Sequence, residues 1–173
     1  MSTLRSFCAE DLFKFNHINL DPYTETYNIP FYMQYVATWP SLCACYEDCN
    51  GRMMGYILGK VEGDAKLWHG HVTAVTVSPE FRRIGVAKNL MAYLEDVSDK
   101  TYNTYFVDLF VRVSNHLAQL MYSNLSYVIF RQVIGYYGRE EDAYDMRKAL
   151  QRDVSKESVI PMTRPIRPEE LEW

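Results

Sequence analysis

The chain lacks several features that identify large classes of protein. Its 173 residues contain no run of about 18 apolar residues, so we expect no membrane-spanning helix. The net charge of −4 argues against a nucleic-acid partner held on a basic face. There is neither a GxxxxGK[ST] loop nor a GxGxxG turn, which argues against a P-loop ATPase and a dinucleotide-binding fold.

Cysteine is scarce, and its four residues are poorly placed for a metal site. Cys43, Cys45 and Cys49 lie close together, but no histidine nearby completes a zinc site. Cys43 and Cys45 alternate along a predicted strand and are better interpreted as buried thiols in a reducing cytosol. The first residues, MSTLRSFCAED, lack an apolar signal core. We therefore predict a cytoplasmic protein.

The segment 72–90, VTAVTVSPEFRRIGVAKNL, is the most informative part of the sequence. Its β-branched residues predict a strand, which a Ser-Pro turn ends before an amphipathic helix begins. The first N–H groups of a helix have no internal partner and its dipole favours negative charge, so this turn is a candidate phosphate site. Gly85 and Ala87 are small enough for a pyrophosphate to approach the backbone, and Arg82 and Arg83 add positive charge.

A second strand and helix follow. Residues 104–113 are strongly β-prone, Asn115 is a helix-capping type, and residues 116–125 continue as a helix. The R-x-x-G-x-A turn and the string V-R-V-S-N-x-x-A-x-x-M-Y-x-x-L-x-Y resemble the two core motifs of the GNAT acetyltransferase superfamily, over residues 69–137. The resemblance implies an α/β fold, with a mixed, mostly antiparallel sheet of about seven strands, splayed central strands and about four flanking helices.

The predicted layout is one domain over residues 1–154, followed by a proline-containing tail, 155–173, without regular structure. Asn50-Gly51 is a predicted hairpin turn. The predicted elements are strand 3–7, helices 9–17 and 29–38, strands 42–47, 53–62 and 71–78, helix 83–98, strand 104–113, helix 116–125, and strands 127–137 and 144–150.

Longer strings narrow the resemblance. DLFKFNxINLDPYTETYNIPFYMQYVATWP near the N-terminus and IPM…RPIRPEE in the tail are similar to the family of catalytic subunits of N-terminal acetyltransferase B (NatB). That family implies transfer of acetyl from acetyl-CoA, without a metal, to the α-amine of an N-terminal Met followed by Asp, Glu, Asn or Gln. Two alternatives stay open: a GNAT enzyme for a lysine side chain or small amine, and a non-enzymatic acyl-CoA-binding domain.

The NatB resemblance also implies a helical-repeat auxiliary subunit, which docks the enzyme at the ribosome beside nascent chains. It implies no direct nucleic-acid contact and no membrane. The first two helices give independent support, because their density of large apolar residues favours more than one buried face and hence an interface. These residues are Phe13, Phe15, Ile18, Phe31, Tyr32, Met33, Tyr35, Val36 and Trp39.

The resemblance assigns one group of residues to acetyl-CoA. The thioester lies where strands 71–78 and 105–113 splay, and backbone N–H groups there can bond its carbonyl. Tyr122 occupies the family's proton-donor position, although packing against the sheet explains it equally well. Asn115 caps the second helix and could also bond the cofactor or a water. The full set is Val75, Thr76, Val77, Arg82, Arg83, Ile84, Gly85, Val86, Ala87, Lys88, Asn115 and Tyr122.

A second group is assigned to the peptide. The resemblance gives His71 the polar second residue of the substrate, whereas a structural histidine bonded to a carbonyl is the alternative; His69 is interpreted as structural. The loop between the first two helices and the end of strand 127–137 close over the peptide N-terminus. The general base is left open between Glu25, His71 and a water that they hold. The substrate set is Glu25, Tyr27, His71, Thr73, Tyr136 and Tyr137, and the catalytic set is Tyr122, Asn115 and His71.

The helix that carries Tyr122 departs from the family at its end. The family often has glycine where this chain has Ser126. Glycine would be the easy left-handed cap, so serine there costs about 1 kcal/mol if the same geometry holds.

Overall fold

The computed structural model describes residues 2–22, 24–138 and 140–171, which form seven β-strands and four α-helices. The strands are β1 (Thr3–Ser6), β2 (Cys43–Glu47), β3 (Met53–Glu62), β4 (His69–Val77), β5 (Phe106–Arg112), β6 (Val128–Tyr137) and β7 (Glu141–Ala149). The helices are α1 (Asn16–Asn19), α2 (Ile29–Thr38), α3 (Val86–Lys100) and α4 (His116–Asn124). The predicted α/β fold is confirmed.

The strands follow the order β1-β2-β3-β4-β5-β7-β6 in one sheet. The pairs β1–β2, β2–β3, β5–β7 and β6–β7 are antiparallel. Between β2 and β3, Gly51 of the predicted Asn-Gly turn has a left-handed φ of +76°. The splay of the central strands stays a prediction. No helix formed by the described residues is both long and apolar enough to cross a bilayer.

Two predicted helices differ from the structure. Residues 9–17 form a 3-10 turn, Ala9–Phe13, and the short α1, because buried Asp11 fixes a tight turn. Its carboxylate accepts hydrogen bonds from the Cys8 N–H at 2.9 Å and from Arg5 at 2.7 Å. Helix α3 begins three residues later than predicted, since Arg83 and Gly85 have φ +68° and +93°, which an α-helix does not allow.

The chain divides into two compact units, residues 1–60 with 72–97 and residues 61–71 with 98–173. The first unit has an aromatic core in which Phe15 lies 5.2 Å from Tyr32 and 5.6 Å from Tyr56, ring centre to ring centre. Cys43 and Cys45 lie in this core as predicted, and burial raises their thiol pKa values to about 11 and about 12.

The second unit contains α4, whose end has a left-handed serine. Ser126 has φ +71°; its N–H donates to the Ser123 carbonyl, and the Tyr127 N–H donates to that of Tyr122. These two bonds define a Schellman motif, and the Tyr122 and Tyr127 rings, 6.0 Å apart, supply its apolar contact. The strained geometry expected at Ser126 is therefore present.

The C-terminal tail packs against β6 in the second unit. Ile166 accepts from the Ile134 N–H at 2.8 Å and donates to the Gln132 carbonyl at 3.0 Å, and its side chain is buried with Leu171 and Val133. Two 3-10 turns, Glu157–Val159 and Pro168–Glu170, interrupt a segment that was predicted to be irregular. Residues 172 and 173 of the predicted tail lie outside the described residues, and the boundary after residue 154 stays a prediction.

Candidate functional site

The turn before α3 has the main-chain geometry of an anion site. Gly85 takes a left-handed φ of +93°, and a Cβ built there meets nothing within 4 Å. Buried Val86 anchors the helix and Ala87 is half-buried, whereas Ile84 and Lys88 are exposed. The first N–H groups of α3 therefore start from an open, uncrowded surface, where a phosphate is stabilised by hydrogen bonds and the helix dipole.

The two arginines of this turn have different surroundings. Arg82 donates from Nε to the Val77 carbonyl at 3.1 Å and from its guanidinium to Asp21 at 2.6 Å. It therefore ties the turn to the end of β4, and its charge is neutralised by a carboxylate. Arg83 has a left-handed φ of +68°. Both arginines are exposed, and Arg82 is the one that the structure shows paired with Asp21.

The second half of β4 is half-buried although the strand lies inside the sheet. Val75, Thr76 and Val77 all keep part of their surface accessible. A Cβ at Gly55 of β3 would lie 2.6 Å from the Thr76 carbonyl, so glycine is needed there for β3 to approach. The Thr76 hydroxyl lies 3.0 Å from that of Thr24, which links β4 to the loop between α1 and α2.

That loop holds the first predicted peptide residues. Tyr27 stacks on Phe31 at 4.2 Å between ring centres, and its N–H donates to the Tyr32 hydroxyl. Burial and the charge of Glu25 raise the Tyr27 pKa. Glu25 is exposed. Nearby, Thr73 of β4 donates from its hydroxyl to the Tyr35 hydroxyl at 2.9 Å. The first unit thus brings β4, α2 and this loop together.

The predicted acid and cap lie on α4 in the second unit. Asn115 is the N-cap, and its side-chain oxygen accepts from the Ala118 N–H at 3.1 Å. Tyr122 is buried, and burial raises its pKa to about 12. A tyrosine in this state keeps its proton at neutral pH, so it can serve as a donor but not as a base. Capping by Asn115 is confirmed, and the other roles stay predictions.

The two tyrosines at the end of β6 pack on β5. Tyr136 stacks on Phe110 at 4.6 Å, and the Tyr137 hydroxyl donates to the Phe110 carbonyl at 3.3 Å. The Arg112 guanidinium covers the Tyr137 ring at 4.0 Å. His71 contacts the same Phe110 ring at 5.7 Å. His71 and Tyr136 are therefore neighbours across one phenylalanine, whereas Tyr122 packs on Tyr127.

His71 has a partner that the sequence reasoning missed. Its Nδ1 lies 2.8 Å from a carboxylate oxygen of Asp108, and both side chains are buried. His69, stacked on Phe106 at 4.7 Å, lies 3.5 Å from the other oxygen. Asp108 could have been noticed as the one charge within the strand FVDLFV, because a charge on an apolar strand requires a buried partner.

The polar group extends onto β3, β6 and β7. Asp145 of β7, fully buried, accepts from Arg131 at 2.8 Å and from Arg147 at 3.1 Å. Glu62, His69 and His71 place ligand atoms within 4.8 Å of one another, a spacing that could hold a metal ion. The Nδ1 of His71 already bonds Asp108, so hydrogen bonds account for the arrangement and we assign no metal to it.

Comparison with known proteins places these features in a family. The model of the acetyltransferase (GNAT) family matches residues 12–127. N-alpha-acetyltransferase 20 of Dictyostelium discoideum is 60% identical over 168 residues, 97% of each chain. The N-terminal acetyltransferase B complex catalytic subunit NAA20 of Arabidopsis thaliana is 58% identical over 173 residues, 100% of this chain and 99% of that one.

Solved structures of acetyltransferases are also similar to this chain. Naa20 of Chaetomium thermophilum, in complex with a bisubstrate analogue, superposes with a TM-score of 0.90 at 43% identity, covering 96% of this chain and 97% of that one. A NatB acetyltransferase complex bound to CoA and MES gives 0.79 at 45% identity, covering 86% and 99%. The resemblance predicted from the motifs is confirmed. The chain belongs to the GNAT acetyltransferase family.

Proposed function

We propose that the chain is the catalytic subunit of a NatB-type protein N-α-acetyltransferase. It transfers acetyl from acetyl-CoA to the α-amine of an N-terminal Met followed by Asp, Glu, Asn or Gln. The observation that carries the proposal is similarity over 97–100% of the chain to proteins named for this activity or this complex. A second argument is the open main-chain turn at Gly85, which suits the pyrophosphate of acetyl-CoA.

In the proposed transfer, residues of the chain hold acetyl-CoA, polarise its thioester carbonyl and donate a proton to the leaving group. The turn over 82–88 binds the pyrophosphate, and main-chain N–H groups near Val75–Val77 polarise the thioester carbonyl. The attacking amine must be neutral, and an α-amine with a pKa near 8 loses its proton far more readily than a lysine near 10.4. Tyr122 keeps its proton because of burial and donates it to the departing thiolate, and the proton that the amine releases as the amide forms restores the phenol through solvent.

The peptide is held by polar side chains, which are those of Glu25, Tyr27, His71, Thr73, Tyr136 and Tyr137. They offer hydroxyl, imidazole or carboxylate groups for an amine and a short polar segment. A site built to bond a polar second residue rejects an apolar one, because its own donors are then left without partners.

A peptide panel tests the function. We expect purified protein with acetyl-CoA to acetylate peptides that begin Met-Asp, Met-Glu, Met-Asn and Met-Gln, and to turn over Met-Leu and Ser-initiated peptides poorly. Mass spectrometry of the product checks that the α-amine carries the acetyl group. Equal turnover of Met-Asp and Met-Leu peptides would favour an acetyltransferase for another amine.

We also propose that the chain works with a helical-repeat auxiliary subunit, in the cytoplasm, and reaches nascent chains at the ribosome through that subunit. One relative is named as the catalytic subunit of an N-terminal acetyltransferase B complex, and a solved NatB acetyltransferase complex is similar to this chain. The first unit exposes large apolar side chains that its own core does not use. These are Phe13 at 88%, Leu20 at 81%, Ile29 at 55% and Met33 at 42% of their surface.

The interface is tested by substitution. Phe13→Glu and Met33→Glu should prevent co-purification with the auxiliary subunit while leaving acetyl-CoA binding intact. Val154→Glu is the matched control, because Val154 is also 88% exposed but belongs to the second unit. A complex that survives both substitutions, Phe13→Glu in the 3-10 turn before α1 and Met33→Glu in α2, would place the interface elsewhere.

A further inference from the structure

The contact between His71 and Asp108 restricts what the histidine can offer to a ligand. The His71 Nδ1 lies 2.8 Å from the Asp108 carboxylate, and the two side chains keep 9% and 5% of their surface exposed. A buried carboxylate is stable only when hydrogen-bond donors surround it. The Nδ1 atom is therefore committed to Asp108, and a ligand meets His71 at its other ring nitrogen, Nε2.

The proton in this contact has a definite position. Burial opposes ionisation of Asp108, but His71 and His69 outweigh it and hold the pKa of that carboxyl at about 2. An ionised carboxylate only accepts hydrogen bonds, so Nδ1 of His71 must carry the proton. The neutral ring is thus held as the Nδ1–H tautomer, with an acceptor lone pair on Nε2.

Other charged groups face the same pair. On β4, the Nδ1–H of His69 donates to the Leu67 carbonyl at 2.5 Å, and its Nε2 lies 3.5 Å from Asp108. On β3, a Glu62 oxygen lies 4.0 Å from Nδ1 of His71. On β7, Arg147 lies opposite Asp108 in the strand register and bonds Asp145. These groups surround Asp108 and the Nδ1 side of the imidazole.

We propose that Asp108 is a positioning residue for substrate choice: it holds Nδ1–H of His71 so that Nε2 bonds the second side chain of the peptide. The inference rests on the proposed function and deepens it. The imidazolium offers a donor at Nε2, and the neutral ring offers an acceptor.

The imidazolium and the neutral ring of His71 should bind acidic and amide second residues of the peptide differently. A carboxylate of Asp or Glu can only accept, so it requires the imidazolium. The amide of Asn or Gln accepts through its oxygen and donates through its nitrogen, so it bonds both states of the ring. The preference for acidic over amide second residues should therefore fall as pH rises.

The experiment measures kcat/KM for a Met-Asp and a Met-Asn peptide between pH 5.5 and 8.5, with EDTA present to remove metal ions. Ionisation of the α-amine affects both peptides equally and cancels in their ratio. We expect the Met-Asp to Met-Asn ratio to fall roughly tenfold across this range, as loss of one charge-assisted hydrogen bond implies. A ratio that does not change with pH would overturn the inference, whereas no acetylation of either peptide would overturn the proposed function.

Asp108→Asn tests the role of the carboxylate. The new amide can donate to Nδ1, which permits the Nε2–H tautomer in the neutral ring, as amide replacement does in a serine-protease triad. Nε2 is then a donor in both ring states, so we expect the ratio to vary less than about twofold with pH. Asp153→Asn is the control, since Asp153 is also buried and accepts from the N–H groups of Glu157 and Ser158.

Both variants should bind acetyl-CoA as the original chain does, which separates the effect from misfolding. A wild-type pH dependence in Asp108→Asn would show that Asp108 does not position the ring. If that variant fails to fold, ¹⁵N NMR of the His71 ring in the original chain decides: we expect Nδ1–H in the neutral ring, and an Nε2–H tautomer would contradict the proposal.

Discussion

The turn before α3 differs in construction from the polar face of the second unit, by which we mean the buried side chains of His71, Asp108, Arg131, Asp145 and Arg147. At the turn, the main chain provides the site: Gly85 takes φ +93° and the helix N-terminus supplies donors. On the polar face, buried side chains are paired: His71 with Asp108 and Arg131 with Asp145 across neighbouring strands, and Arg147 with Asp145 along β7. The first needs a few consecutive residues, and the second needs residues that are distant in sequence.

The largest effect should come from removing a carboxylate from the polar face. Asp145→Ala removes the carboxylate that Arg131 and Arg147 share, and leaves two buried guanidinium groups without it. Removing one partner of a buried ion pair costs about 3–5 kcal/mol, so we expect urea unfolding to show a loss of that size. Arg52→Ala, at the exposed pair with Glu80 in the first unit, should change stability negligibly.

A loss below about 1 kcal/mol in Asp145→Ala, the range of surface pairs, would contradict this view of the polar face. It would mean that the guanidinium groups find other partners or water, and that the second unit does not depend on this carboxylate for its fold.

The same difference explains which parts of the molecule the sequence predicts. The strand–turn–helix around Gly85, the Asn115 cap and the Asn-Gly turn are local patterns, and each is present, although α3 begins three residues later than predicted. Asp108 was missed because it lies 37 residues from His71, and only the strand pairing brings them together. Residues 9–17 were predicted as one helix because their apolar spacing does not reveal that Arg5 holds Asp11 in a tight turn.

A side chain at position 85 should prevent acetyl-CoA from binding at the turn before α3. Gly85→Val puts a branched group where we propose that the pyrophosphate binds, and strains a left-handed φ. Acetyl-CoA at 100 times its Kd should stabilise the original chain by about 2.7 kcal/mol in a thermal-shift assay, and this gain should vanish in the variant. Gly51→Val is matched, since Gly51 has φ +76° and equally open surroundings; its gain should persist. A ligand-induced shift retained in Gly85→Val would place acetyl-CoA elsewhere.

Removal of the Tyr122 hydroxyl on α4 tests whether the second unit also supplies a proton donor for catalysis. Tyr122→Phe keeps the buried ring and removes only the hydroxyl, the proton donor that we propose. We expect turnover to fall about 10²-fold, the low end for a general acid because a thiolate leaves readily, with acetyl-CoA affinity unchanged. Tyr127→Phe, its neighbouring buried ring, should retain turnover. Normal turnover in Tyr122→Phe would assign that tyrosine to packing alone.

The smallest effect should come from a main-chain feature within the second unit. Ser126 carries the left-handed φ of +71° at the end of α4, where both Schellman hydrogen bonds are formed. Ser126→Gly removes the steric cost of that conformation and should raise the free energy of unfolding by about 1 kcal/mol, with the hydrogen bonds unchanged. Ser123→Gly makes the same substitution inside α4 and should instead lower it by about 0.5 kcal/mol, because glycine is a poorer helix former than serine. Opposite signs at two positions three residues apart would show that main-chain conformation sets the effect. Destabilisation by both substitutions would show that the Ser126 side chain stabilises the fold more than its backbone strain costs.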